Sequence, residues 1–230
     1  MLFRSGEILG LAGDNGAGKT TLIKCLAGVH SSDEGHITLR GEQVAIETPK
    51  EAKRFGIETT FQELAVVNNL TVTENIFLGR EDTFRDAGFF GVLRRKNMQK
   101  KAEELLSNLG ISVDPEAKTG NLSGGERQLV AISRTMLSDP DIVIMDEPTS
   151  ALSVEGAKQV LDLIKRMKNQ GTSILLISHS LDYLMQVTDR IQVLHNGRSA
   201  GTFDTASVSQ DLITTRMVSG VPSEKEVPSA

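Results

Sequence analysis

With 230 residues the chain can bury a sizeable core, either as one large domain or as two small ones. Its 39% hydrophobic and 24% charged residues fit a globular fold, and a net charge of −5 gives it no attraction to nucleic acid. One cysteine cannot close an internal disulfide. No apolar run approaches the ~18 residues of a membrane span, and the start lacks the features of a signal peptide. The expectation is a chain of the reducing cytosol that meets a membrane only through a partner.

Ile8-Leu9-Gly10-Leu11-Ala12 is an apolar run that predicts a buried strand. Gly13, Asp14, Asn15, Gly16, Ala17, Gly18, Lys19 and Thr20 follow it and fit G-x-x-x-x-G-K-[ST], the phosphate-binding loop. Leu22, Cys25, Leu26 and Val29 then recur at helical spacing and predict one apolar face, with the Cys25 thiol in the core. This strand–loop–helix order is what the chemistry needs. Glycines let backbone N–H groups curl around phosphate oxygens, and the helix adds its positive end. Lys19 is placed to reach the β- and γ-phosphates of a nucleotide, and the Thr20 hydroxyl to bind Mg²⁺, with Thr21 beside it.

Next, His36-Ile37-Thr38-Leu39 and Gln43-Val44-Ala45-Ile46 predict a hairpin around Arg40-Gly41-Glu42. Thr48, Pro49 and Glu51 have capping-box spacing, so a short helix should run to about Phe55 and stop at Gly56. Residues 57–61 read as a strand with Gln62 at its exit, and 63–80 as a loop with short helical pieces. Residues 84–96 show no clear period. From Met98, apolar positions at Ala102, Leu105, Leu106 and Leu109 predict a helix ending at Gly110. After a connector over 113–122, Ser123, Gly124, Gly125 and Glu126 open another helix, with Leu129, Ile132, Met136 and Leu137 as its apolar positions.

Ile142-Val143-Ile144-Met145 is a continuous apolar run, as in a central strand covered on both faces, and it ends in Asp146-Glu147. A helix with Val160, Ile164 and Met167 on one side ends at Gly171. Residues 173–178 form another buried strand with His179 at its exit. Residues 191–195 and 198–203 pair across Asn196-Gly197, a strong hairpin signal. The tail, 221–230, is polar and predicted to be disordered.

Polar residues thus recur at strand exits: Gln62, Asp146 with Glu147, and His179. In an open α/β sheet, ligands bind beyond the carboxyl ends of the strands, so these residues can converge on one nucleotide. Asp146 suits a Mg²⁺ contact through water, and Glu147 can act as general base on a water attacking the γ-phosphate. By themselves, His179 is equally an ordinary structural histidine and Gln62 a commonplace strand-end residue. The turn of Ser123, Gly124 and Gly125 is a second anion site at a helix start, and equally an ordinary capped helix. As an anion site, in a chain with one nucleotide, it suggests sharing across a dimer.

The phosphate loop, Gln62, Leu122-Ser123-Gly124-Gly125-Glu126-Arg127-Gln128, Ile142 to Glu147 with Pro148, Ser150-Ala151-Leu152-Ser153 and His179 come in the order of an ATP-binding cassette (ABC) transporter ATPase, which the chain resembles over roughly 6–220. Residues 56–64, 70–81 and 177–179 are similar to those of bacterial monosaccharide importers, in the single-cassette, fructose-type form. The resemblance implies an α/β P-loop NTPase with a mixed central sheet, a truncated N-terminal β-subdomain and a helical subdomain over about 63–138, in one nucleotide-binding domain spanning 1–220. It implies ATP and Mg²⁺ as ligands, with Thr20, Gln62 and Asp146 at the metal and Glu147, His179 and Gln62 in catalysis. Two cassettes, expected as a homodimer, would close head to tail around two ATP molecules, each clasped by one copy's phosphate loop and the other's Ser123, Gly124 and Gly125. Ser150 to Ser153 would line the seam. The loop after Gln62 would hold a transmembrane permease, served by a periplasmic sugar-binding protein, with the ATPase peripheral on the cytoplasmic face.

Two departures stand out. The family's adenine-stacking aromatic, well upstream of the phosphate loop, has no counterpart here, and Phe3 is too close to the loop to serve. Either the native chain starts upstream or this is a partial cassette, with weakened adenine binding expected as it stands. Glu126-Arg127 replaces the commoner Gly-Gln or Gln-Gln of the signature, with little effect expected. A non-transport ABC ATPase and an inactive truncated cassette are the alternatives.

Overall fold

The computed structural model describes residues 1–61, 66–80 and 95–220. They form two units, one of Met1–Thr59, Pro140–Glu147 and the chain from Lys168 onward, the other of Thr60–Asp139 and Pro148–Met167. The predicted loop residues at 62–65, the region 84–94 and the tail 221–230 lie outside the described residues, Gln62 among them.

The first unit is built on six strands: β1 (Ile8–Gly13), β4 (Ile57–Thr60), β5 (Ile142–Asp146), β6 (Ser173–Ile177), β7 (Arg190–His195) and β8 (Arg198–Asp204). Their order is β4-β5-β6-β1-β7-β8. β1 runs parallel to β6 and β7, and β5 parallel to β6, while β7 and β8 are antiparallel. The sheet is therefore mixed. All six residues of β1 and all five of β6 are buried, which is why both read as near-continuous apolar runs. One core cluster joins Leu9, Leu11, Ile144, Leu175 and Ile177 of the sheet to Ile23 of α1 (Lys19–Leu26). Phe3 packs against that cluster.

The face of α1 differs from the expected one. Ile23 is its fully buried residue, Leu22 and Leu26 are partly buried, and Val29 is 45% exposed. The helix ends at Leu26, so Val29 never joins its stripe. Cys25 is only half-buried and lines a groove with His36 and Val44, so it is not a core thiol.

A separate hairpin pairs β2 (Ile37–Leu39) with β3 (Glu42–Val44). Leu39 opposes Glu42, so the turn is the pair Arg40-Gly41 rather than three residues. Both have positive φ, 53° and 87°, the type I′ geometry that suits the strand twist. The Arg40 guanidinium, held on the Asp141 carboxylate, secures it. The Asn196-Gly197 turn between β7 and β8 has the same geometry, with φ of 46° and 74°. Thr48 and Glu51 form the predicted capping box at the start of α2 (Pro49–Arg54). At the far end of the sheet Glu7 and Arg190 form a buried bidentate pair, at 3.0 and 2.8 Å.

Three helices of the second unit pack together: α3 (Val72–Ile76), α4 (Arg95–Asn108) and α5 (Gly124–Ser133). Ala102 and Leu106 of α4 are buried as predicted. The predicted apolar face of α5 is broken, because the helix tightens into a 3-10 segment, Arg134–Ser138, after Ser133. Leu129 and Ile132 are buried, whereas Met136 and Leu137 are half-exposed. The Ser133 and Thr135 hydroxyls bond carbonyls three residues back, matching the tighter turn. The predicted helix with Val160, Ile164 and Met167 buried is α6 (Val154–Asn169).

Two helices of the first unit were not expected, α7 (Leu181–Val187) and α8 (Gln210–Ser219). α8 buries only Ile213 and Arg216, so its sequence shows no apolar stripe to read.

Candidate functional site

β1, β6 and β5 are parallel neighbours, so their carboxyl ends share one edge. Ile177 at the end of β6 lies opposite both Leu11 of β1 and Asp146 of β5. The phosphate loop, the Asp146-Glu147 pair and His179 therefore leave the sheet side by side.

Gly18 caps α1 in a left-handed conformation, φ 98°, with no side chain on the first amides of the helix. A residue with a Cβ would be strained there, and the first-turn N–H groups stay available for an anion. Gly13 must also be glycine: a Cβ would come within 2.7 Å of the Leu194 carbonyl oxygen. Lys19 folds over the cradle, donating from Nζ to the carbonyls of Gly13 at 2.6 Å and Asp14 at 3.1 Å. Its charge thus sits among the loop's backbone groups. Asp14, Asn15, Gly16 and Thr20 are exposed, while Ala17 is buried under the loop. The Ala17 carbonyl accepts from the Gly197 amide at 3.0 Å, so the β7–β8 turn braces the loop. Asn196-Gly197 was readable as a turn, but nothing local in the sequence shows what the turn touches.

Burial, and then repulsion from Glu147, push the Asp146 carboxyl above the ordinary aspartate range, with Lys19 pulling the other way. Glu147 takes a left-handed backbone, φ 52°, and its amide donates to the Ile177 carbonyl. Such strain in a residue with a Cβ costs on the order of 1–3 kcal/mol and collects at functional sites. The Glu147 side chain is 10% exposed and that of His179 is 70% exposed. His179 Nδ1 comes within 2.9 Å of Glu147 Oε2, yet off a hydrogen-bond direction, so that buried oxygen has no hydrogen-bond partner. An orphaned carboxylate oxygen at a strained position fits a group that acts on a ligand.

In the second unit, Ser123 caps α5 in a closed capping box. Its hydroxyl accepts from the Glu126 amide at 3.2 Å, and the Glu126 carboxylate accepts from the Ser123 amide at 2.8 Å. The Ser123 hydroxyl proton can rotate from the Glu126 carboxylate toward a ligand, and the Gly124 and Gly125 amides lie in the first helical turn, where no helical carbonyl faces them. Gly125 is buried against α6: a Cβ there would fall 2.8 Å from Gly156 Cα. Gly156 had not stood out in the sequence, because the contact joins segments about thirty residues apart.

A family model described as ABC transporter matches residues 1–150. The chain is 41% identical over 199 residues to a xylose/arabinose import ATP-binding protein of Sulfolobus acidocaldarius, an alignment covering 86% of this chain and 77% of that one. The chain belongs to the ABC transporter family. It is also 41% identical over 213 residues to a ribose import ATP-binding protein of Geobacillus kaustophilus, covering 93% of this chain and 42% of that protein. With a galactofuranose transporter ATP-binding protein of Escherichia coli the identity is 39% over 207 residues, covering 90% and 40%. The chain thus spans well under half the length of these last two relatives. Among solved structures, the ADP conformation of an ATP-binding cassette of an ABC transporter matches with a TM-score of 0.78 at 26% identity, covering 94% of this chain and 85% of that one.

The mixed sheet with its phosphate loop is thus the fold of an ABC ATPase cassette. No described helix of this cassette is long and apolar enough to cross a membrane.

Proposed function

We propose that the chain is the ATP-hydrolysing subunit of an ABC importer for a monosaccharide. What carries the reading is the shared sheet edge: Lys19 in its cradle, Asp146 beside Glu147, and His179 leave three adjacent parallel strands. The relatives named for sugar import support the substrate class.

In this reading Gly13 to Thr21 cradle the triphosphate, and Lys19 exchanges its loop carbonyls for phosphate oxygens. The residues fit a Mg²⁺ ion. Asp146 and Glu147 repel one another at the sheet edge, with Lys19 the cation that acts against this at Asp146, and carboxylate oxygens are what this ion takes. No cluster of three or more metal-binding side chains occurs among the described residues, so Thr20 and Asp146 would hold the ion with oxygens of phosphate and water completing its shell. When bound, the ion would offset charge on the transferring phosphoryl group. Glu147 would take the proton of the attacking water and His179 would hold the γ-phosphate. Gln62, outside the described residues, is proposed to link ion and water to the loop that follows. A second copy would supply Ser123, Gly124 and Gly125 to the same triphosphate. The loop after Gln62 would receive the permease on the cytoplasmic face, with a periplasmic sugar-binding protein beyond it.

The test is hydrolysis of Mg²⁺-ATP by Glu147→Gln. We expect kcat to fall ~10²–10⁴-fold, the usual worth of a general base, while ATP-bound dimers accumulate. Unchanged turnover would remove Glu147 from this role.

A further inference from the structure

Asn75 is fully buried on α3, and it is a polar side chain with every valence in use. The two protons of its Nδ2 are shared among the carbonyls of Val67 and Thr71 and the Thr119 hydroxyl, each 3.0 Å away, with the Leu70 carbonyl at 3.4 Å. Its Oδ1 accepts from the Val67 amide at 2.7 Å. The Thr119 side chain, equally buried, donates to the same Val67 carbonyl at 2.8 Å. Backbone bonds extend the seam: Thr119 N to Leu70 O and Gly120 N to Asn68 O at 3.0 Å, Val72 N to Ala117 O at 2.9 Å, and Thr73 N to Pro115 O at 3.0 Å. Two segments about fifty residues apart are stitched into one piece, around a node that is neutral and wholly satisfied.

The position of those segments gives the stitch a use. One, residues 67–73, begins five residues after Gln62 and exposes 67–69 on its outer side, with Val67 44% exposed. The other leads straight to the Ser123 turn. Thr119 opens the 3-10 segment Thr119–Asn121, the Leu122 amide bonds the Thr119 carbonyl, and Arg127 of α5 holds the Leu122 carbonyl at 2.6 Å. Only rigid, short-range links separate the exposed loop from the helix start.

We infer that Asn75 and Thr119 are positioning residues that lock the 67–73 loop to the Ser123 helix start, so that a membrane partner bearing on that loop displaces the phosphate donors Ser123, Gly124 and Gly125. This rests on the proposed function for what the donors do, but the lock itself is a property of this chain alone.

Thr119→Val keeps the volume and removes the hydroxyl, so it is the variant of choice; Asn75→Ala would leave several buried groups unpaired and threatens the fold. Hydrogen exchange on the full nucleotide-free chain reads the lock directly. In Thr119→Val we expect amides of residues 68–73 and of 122–127 to exchange faster together, by about fivefold or more, with those of 8–13 unchanged. We also expect kcat for ATP to fall a few-fold with ATP affinity unaltered, and Thr119→Ser to restore both. Faster exchange in 68–73 alone, or Thr119→Ser behaving like Thr119→Val, would overturn the inference. A chain that bound no nucleotide would defeat the proposed function and leave the exchange result standing.

Discussion

Helix α1 begins at Gly18, which offers its first amides no side chain, whereas α5 begins at Ser123, whose capping box with Glu126 is closed on both sides. The two starts share a glycine-rich sequence, but the first leaves all its first-turn amides without a side-chain cap, whereas the second has part of its donors tied into the Ser123–Glu126 box. The acids near them differ in the same sense. Asp146, across the sheet edge from the cradle, is pushed above its ordinary range by burial and by Glu147. Glu126 is held below its range by the Ser123 amide first and then by the Ser123 hydroxyl. The difference teaches that, under the proposed function, the phosphate loop would take nucleotide within one copy, while the Ser123 turn is capped without it and would offer only its remaining donors to a nucleotide held by the other copy.

The largest effect should come from breaking the first side of this contrast. Lys19→Ala removes the cradle's cation, and a lost charge-assisted hydrogen bond is worth ~1.5–3 kcal/mol. ATP affinity of the isolated chain, measured by calorimetry, should therefore fall about 10- to 100-fold. Ser123→Ala sharpens the other side. It removes a helix cap worth ~1 kcal/mol and one donor to the triphosphate. We expect kcat to fall about fivefold or more while the ATP affinity of the isolated chain stays put. An affinity loss in Ser123→Ala comparable with that in Lys19→Ala would abolish the distinction between the two starts.

Much of this arrangement was legible in the sequence, for physical reasons that also mark where reading stops. The phosphate loop, the run of β5 ending in acids, and the Asn196-Gly197 turn are set by backbone chemistry over a few residues, so spacing alone reveals them. The face of α1 misleads because periodicity presumes a longer helix than eight residues, and Ile23 carries the burial instead. The Glu7–Arg190 pair, the Asn75–Thr119 node and the approach of Gly125 to Gly156 join distant segments, and each residue alone looks like an ordinary surface or turn position. What the sequence showed was local geometry; what it hid was the bracing that holds that geometry in place.

The smallest effect is the most discriminating, because the two acids predict opposite slopes with pH. The carboxyl of Asp146 binds its proton more tightly in the folded chain than in the unfolded one, so the nucleotide-free chain loses stability as pH rises from the ordinary aspartate value through the raised one. Asp146→Asn should then raise Tm at neutral pH, since it removes the charge whose formation the folded chain opposes. The gain should vanish once the medium is acid enough to protonate Asp146 in both states. Glu126 runs the other way: its lowered carboxyl contributes stability above the ordinary glutamate value, lost as pH falls through the lowered one. Glu126→Gln should lower Tm at neutral pH by a smaller amount and match the parent in acid. Adding Mg²⁺-ATP should reverse the order for Asp146→Asn alone, since in the proposed function only the parent carboxylate can bind the ion. Thermal melts of both variants across pH, with and without Mg²⁺-ATP, check this, and parallel slopes would mean that the cradle and the capped turn are electrostatically alike.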